Sequence, residues 1–88
     1  MTFDPEQRWR LSSSVALRPE PFGALAYHFG NRRLTFLKTP LLVTVVKSLG
    51  DHPSARAAVA AAGVPQQQQS HYERALAALA DAEVLTCA

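Results

Sequence analysis

The spacing of apolar residues changes at Thr39-Pro40, and that change divides the chain into a strand-forming part and a helix-forming part. Before it, residues 24–29 and 32–37 alternate with period two around Gly30-Asn31, a two-residue link that tolerates positive φ and suits a tight hairpin. That turn sets a register in which Phe29 faces Arg32, Tyr27 faces Leu34 and Leu25 faces Phe36, so these pairs share one side. They carry nearly all the large apolar groups of the hairpin and read as its core face. Ala24 with Leu37, Ala26 with Thr35 and His28 with Arg33 fall on the other side, which reads as the wet one. Residues 15–18 form a further short strand ending at Pro19, as an edge strand would.

After the change the period is helical. Thr39 caps and Pro40 takes the first helical position, where its missing N–H costs nothing. Leu41, Leu42, Val45, Val46 and Leu49 then mark one face of a helix over 40–49, and Gly50 stops it. A second helix, 54–62, starts at Ser54 and ends at Gly63. Gln66 to Gln69 reads as a polar linker, and Ser70-x-x-Glu73 as a capping box. The helix it opens, 70–82, buries Tyr72, Leu76 and Leu79, with Val84 and Leu85 packing beyond. The fold class is therefore α+β and winged-helix-like, a three-stranded antiparallel sheet followed by three helices.

With 88 residues there is material for one domain and one thin core, over residues 1–88, with 1–10 as a loose polar arm around Pro5 and Trp9. The lone Cys87 cannot staple the fold, so the chain reads as a reduced, cytoplasmic protein. No stretch reaches the ~18 apolar residues of a membrane span, and no apolar N-terminal signal is present. Residues 1–50 hold seven Lys/Arg against three Asp/Glu, while 51–88 hold two against four, so the N-terminal half is the basic one. Such a half draws an acidic partner by steering, or is an ordinary solvated surface.

The residues of familiar active sites are missing. His28, His52 and His71 lie in different elements with no second ligand at metal spacing. There is no Gly-rich phosphate loop and no Gly-x-Ser-x-Gly elbow. Ser12-Ser13-Ser14 has no base spaced to serve it, and the carboxylates are scattered. Neither catalysis, nor a metal, nor a cofactor is expected. A DNA-binding winged helix is the alternative. It requires a recognition helix rich in Arg, Lys, Asn or Gln, and the last two helices offer only Arg56 and Arg74, too few to neutralise several phosphates. No nucleic acid and no membrane partner are expected.

A stripe of small residues remains. His71, Ala75, Ala78 and Ala82 share a face beside the Leu76/Leu79 core face, and small residues leave a shallow groove wherever another element runs alongside. An extended peptide could add there to an open strand edge. Alanine is also the best helix former, and periodicity does not separate these readings.

The run Trp9-Arg10-Leu11, Val15-Ala16-Leu17-Arg18-Pro19-Glu20, then Phe22 through Leu34 resembles the mycofactocin biosynthesis chaperones, the MftB family. Phe36-Leu37-Lys38-Thr39-Pro40 and the stretch 57–64 are similar too, so the likeness covers almost the whole chain. The wider relatives are the PqqD-like domains that capture leader peptides. The resemblance implies three antiparallel strands and three helices, with the precursor peptide bound between the third strand and the third helix. It implies a partner, the radical S-adenosylmethionine enzyme that decarboxylates and cyclises the C-terminal Val-Tyr of that precursor, and a chain that presents substrate without performing chemistry. The candidate peptide-binding residues are Arg33, Leu34, Thr35, Phe36 and Leu37 on the strand, with His71, Ala75, Ala78 and Ala82 on the helix. Leu34 and Phe36 are also read as core.

Overall fold

A computed structural model describes residues 3–88. Its elements are β1 (Trp9–Leu11), β2 (Val15–Glu20), β3 (Gly23–His28), β4 (Leu34–Leu37), α1 (Pro40–Ser48), α2 (Ala55–Ala61), α3 (Gln66–Asp81) and β5 (Leu85–Cys87). A single 3-10 turn, Leu49–Asp51, follows α1. Strands β2-β3-β4 form an antiparallel sheet in that order, followed by the three helices, as the change of period at Thr39-Pro40 implies. A second, two-stranded sheet joins β1 to β5.

The helix starts follow from local chemistry. Thr39 is extended, and its hydroxyl accepts from the Leu42 N–H at 3.1 Å, with Pro40 at the first helical position. Ser54 caps α2 in the same way, accepting from the Ala57 N–H at 3.0 Å. Helix α2 stops at Gly63, whose φ of 86° lets its own N–H reach Ala60 O and the Val64 N–H reach Val59 O. Helix α3 ends on the same pair of bonds, from Glu83 to Ala80 O and from Val84 to Leu79 O. There the left-handed position is held by Glu83 at φ 64°.

Helix α3 begins four residues earlier than its sequence suggests. The four glutamines form its first turn behind Pro65, and Ser70 lies inside the helix rather than capping it. Glutamine is a good helix former and Pro65 cannot continue a preceding helix, so the start falls at the proline. Strand β2 also runs past Pro19 to Glu20. Pro19 sits on an edge strand, where its missing N–H faces away from β3.

The hairpin register is the one set by the turn, with Tyr27 opposite Leu34, Leu25 opposite Phe36, Ala26 opposite Thr35 and Ala24 opposite Leu37. The turn itself is wider than two residues. The His28 N–H donates to Arg33 O, the Arg32 N–H donates to His28 O, and it is Arg32 that takes positive φ, at 60°. His28 Nδ1 accepts from the Gly30 and Asn31 N–H groups, and Asn31 Oδ1 accepts from the Arg33 N–H. Those side-chain acceptors satisfy a larger loop.

The assignment of faces is reversed. Ala24, Ala26 and Leu37 are buried, whereas Phe29, Leu34 and Phe36 are 59%, 63% and 58% exposed. Helix α1 packs on β3, and its Leu42, Val45 and Val46 share one core with the two alanines. Small residues in the middle strand let the helix come close, so size alone does not mark the inner face.

The N-terminal stretch is not a loose arm over its described part; Met1 and Thr2 lie outside the described residues. Trp9 is buried, its indole N–H donates to Asp4 O at 2.8 Å, and Phe3 packs on its ring. Trp9 pairs with Cys87 and Leu11 with Leu85 across β1 and β5. Ala55 and Arg56 donate their N–H groups to Gln7 O and Pro5 O. The Arg56 side chain bridges Glu73 at 3.2 Å and Glu6 at 2.6 Å. The hydrogen bond to Glu73 and the two carboxylate charges raise its pKa further above the ordinary arginine value.

Two stability effects follow. Trp9→Ala should destabilise the domain by about 3–5 kcal/mol, as large-to-small changes in cores do, read as a fall in the urea midpoint. Glu83→Gly relieves left-handed backbone at an exposed site and should add roughly 0.5–1 kcal/mol, read as a higher Tm by calorimetry.

Candidate peptide groove

Strand β4 is a sheet edge, because among the described residues it pairs with β3 alone. In an antiparallel ladder, hydrogen-bonded and non-bonded pairs alternate. The bond from the His28 N–H to Arg33 O fixes the phase. The pairs Ala26–Thr35 and Ala24–Leu37 are then the bonded ones, while Leu34 and Phe36 send their N–H and C=O groups to the open side. An edge of this kind is a template for an added strand.

Beyond that edge lies a groove of about 640 Å³ between β4 and α3, within the usual size range of ligand sites. Thr35, Phe36, Lys38 and Thr39 form its strand side, joined by Leu42 of α1. Gln68, His71, Tyr72, Ala75, Ala78 and Leu79 of α3 form the opposite wall. Leu42, Tyr72 and Leu79 are buried and make an apolar floor. The Tyr72 hydroxyl and Thr39 Oγ1 lie 3.2 Å apart in a hydrogen bond, so the same threonine caps α1 and holds the floor tyrosine. Two of the wall residues of α3 are short. Ala75 and Ala78 place only methyl groups there, with the His71 ring at one end.

Among the lining residues the one formal charge is Lys38, and no carboxylate faces the cavity. Arg32 and Arg33 lie exposed at the other end of β4. The strand is therefore bracketed by cations. An extended chain carrying carboxylates at its ends and apolar side chains between them matches this edge in backbone, shape and charge.

Of the nine residues singled out from the sequence, the structure brings Thr35, Phe36, His71, Ala75 and Ala78 together in the groove. Leu37 is fully buried on the inner face. Leu34 points to the outer face of the sheet, Arg33 stands at the hairpin turn, and Ala82 packs against the core at the C-cap of α3, past the end of the groove. Leu34 and Phe36, read as core, are exposed. Lys38, Thr39, Leu42, Gln68, Tyr72 and Leu79 were not foreseen. The sequence pattern marks Thr39 as a cap and Leu42, Tyr72 and Leu79 as core, yet one side of each faces the cavity.

Among the described residues no group of three or more His, Cys, Asp or Glu is placed to hold a metal ion. No helix among them is long and apolar enough to cross a membrane.

An open strand edge facing a helix across an apolar groove has the shape and unpaired backbone that suit an extended polypeptide. Comparison with known proteins gives the family. The model of the peptide chaperone MftB family matches residues 8–86, and the chain belongs to that family. It is 56% identical over 85 residues to the peptide chaperone MftB of Mycolicibacterium smegmatis, covering 97% of this chain and 83% of the relative. The proteins of that name from Mycobacterium ulcerans and Mycobacterium tuberculosis are 53% and 51% identical over 83 residues, each covering 94% of this chain and 76% of the relative. The family is one of peptide chaperones, a role without catalysis. No solved structure matches the chain.

Amide hydrogen exchange tests the phase of the edge directly. In the free protein Thr35 and Leu37 should be protected, while Leu34 and Phe36 should exchange close to the rate of unstructured amides. The reverse order would turn the edge inside out.

Proposed function

We propose that this chain is a peptide chaperone for a ribosomally made precursor of mycofactocin, which it holds as an added strand on β4 and presents to a radical S-adenosylmethionine enzyme. In this reading residues 1–88 act as one PqqD-like recognition domain in the cytoplasm, with no reaction of its own. The observation that carries it is the outward backbone of Leu34 and Phe36 beside the apolar groove. Names of relatives at 51–56% identity support the peptide-chaperone role.

The backbone of an unfolded segment offers unpaired donors and acceptors, and an edge strand satisfies them with little sequence demand. Specificity then comes from side chains. An added strand lies about 4.8 Å from β4, and its side chains alternate between two faces. One set enters the groove over Leu42, Tyr72 and Leu79, against Ala75 and Ala78; the other lies beside Phe36 on the outer face. Lys38 at one end and Arg33 at the other suit acidic residues flanking the apolar ones. The peptide-binding set is then Arg33, Leu34, Thr35, Phe36 and Leu37 with His71, Ala75, Ala78 and Ala82, in which Leu37 and Ala82 act through position rather than contact.

Calorimetric titration of the precursor peptide tests the groove. Ala78→Trp fills the cavity while Leu76 and Leu79 keep the helix packed, so the variant should stay folded by circular dichroism and lose at least about tenfold in affinity, near 1.4 kcal/mol. Folded Ala78→Trp that binds as tightly as wild type would place the peptide elsewhere.

A further inference from the structure

The outer face of the β2–β3–β4 sheet is left bare by the fold, and its chemistry is unusual for a solvated face. Ala16 and Arg18 of β2, Leu25 and Tyr27 of β3 and Leu34 of β4 frame a shallow depression of about 300 Å³. Phe22, Phe36 and Lys38 bound a second of about 290 Å³ beside it. Phe22 and Phe36 meet edge to face at 5.8 Å, and Tyr27 and Phe29 at 5.3 Å, so the rings hold one another in place. Phe22 is 42% exposed, and with Phe29, Leu34 and Phe36 it leaves on the order of 400 Å² of apolar side chain open to water. Patches of that size are the largest on ordinary monomers and are often functional.

Charge and area choose the occupant. Arg18 lines the first depression and Lys38 the second, and the carboxylate of Glu20 is bound to Arg18 at 2.9 Å. A second copy docked face to face would set this cationic rim against itself. The area is also about half of the ~800 Å² that each partner of a standard stable complex buries. A different protein, with an apolar patch ringed by carboxylates, fits both facts, in a transient complex steered by charge. The patch is continuous with the groove through Phe36, which lines both, so a protein seated there touches the peptide held on β4.

We propose that this outer face docks such an acidic-rimmed protein and that, on the function proposed above, it is the radical S-adenosylmethionine enzyme that receives the peptide. The groove presents the peptide and the adjoining face holds its recipient, so the two surfaces separate by mutation.

The test measures binding of that enzyme and of the precursor peptide in parallel, by interferometry and calorimetry, to wild type, Tyr27→Ser/Phe29→Ser and Arg18→Glu. The double variant should lose at least tenfold in enzyme affinity with peptide affinity held within twofold. Arg18→Glu should slow enzyme association, and the wild-type on-rate should fall as salt rises. Phe29→Ser alone, at the exposed turn, serves should the double variant lose its circular dichroism signal, with a smaller loss in the same direction. The proposal is overturned if the folded variants bind the enzyme like wild type, if wild type does not bind the enzyme, or if sedimentation shows a wild-type dimer that Tyr27→Ser/Phe29→Ser abolishes. Failure of the wild type to bind the peptide would instead sink the chaperone reading, and the enzyme-binding arm would still report on the face.

Discussion

Two alanines in the middle strand govern the arrangement of everything around them. Ala24 and Ala26 offer methyl groups where α1 crosses β3, and Leu42, Val45 and Val46 fill the space above them. Because side chains in a strand alternate strictly, committing these small residues to the core sends Leu25, Tyr27, Leu34 and Phe36 to the opposite face. The same packing seats Leu37 in the interior and anchors the C-terminal end of β4. The chain then turns at Thr39 into α1. Gly23, at the start of β3 beside that same end, contributes too, since a Cβ there would strike the carbonyl oxygen of Leu37 and crowd that of Thr39. The open edge of β4 is thus held by contacts on its inner face, which a bound peptide need not disturb.

How much of this could be read from the residues depends on how local each determinant is. The register of β3 against β4 was legible because Gly30-Asn31 fixes its midpoint, even though the loop widens to use His28 and Asn31 as acceptors. The inner face was not legible. Alternation separates two sets of side chains but does not say which set a helix will cover, and counting large apolar groups chose wrongly. The pairing of β1 with β5 was hidden for another reason. Trp9 and Cys87 lie at opposite ends of the chain, and nothing near either one specifies the other. Within α3, the Tyr72, Leu76 and Leu79 face was plain from its period, while the start was missed because a run of glutamines resembles a linker and a helix equally well.

The groove was half legible for a related reason. The Ala75/Ala78 stripe and the Thr35–Phe36 segment were visible, since small residues beside a core face are a local pattern. Its floor was not, because Leu42, Tyr72 and Leu79 carry the signature of core residues and serve as core on one side. Thr39 shows how closely fold and site are joined. One hydroxyl caps α1 through Leu42 and bonds the phenol that floors the groove. A capping motif in the sequence gives no hint of the second contact.

The exposed aromatics on the outer face lie outside the buried core. The core of Trp9, Leu37, Leu49 and Leu76 with the valines of α1 and α2 closes without them. Exposed positions of that kind ordinarily tolerate polar residues with effects of about 0.5 kcal/mol. An apolar patch in water also carries a standing risk of association. The fold therefore gains little from Phe22, Phe29, Leu34 and Phe36 and would be safer without them. Leu34 and Phe36 join both surfaces at once, through outward backbone on the edge and outward side chains on the face. A strand with both properties can bind one chain through its main chain and another through its side chains. That division fits the proposed role, in which one partner is an extended peptide and the other a folded protein.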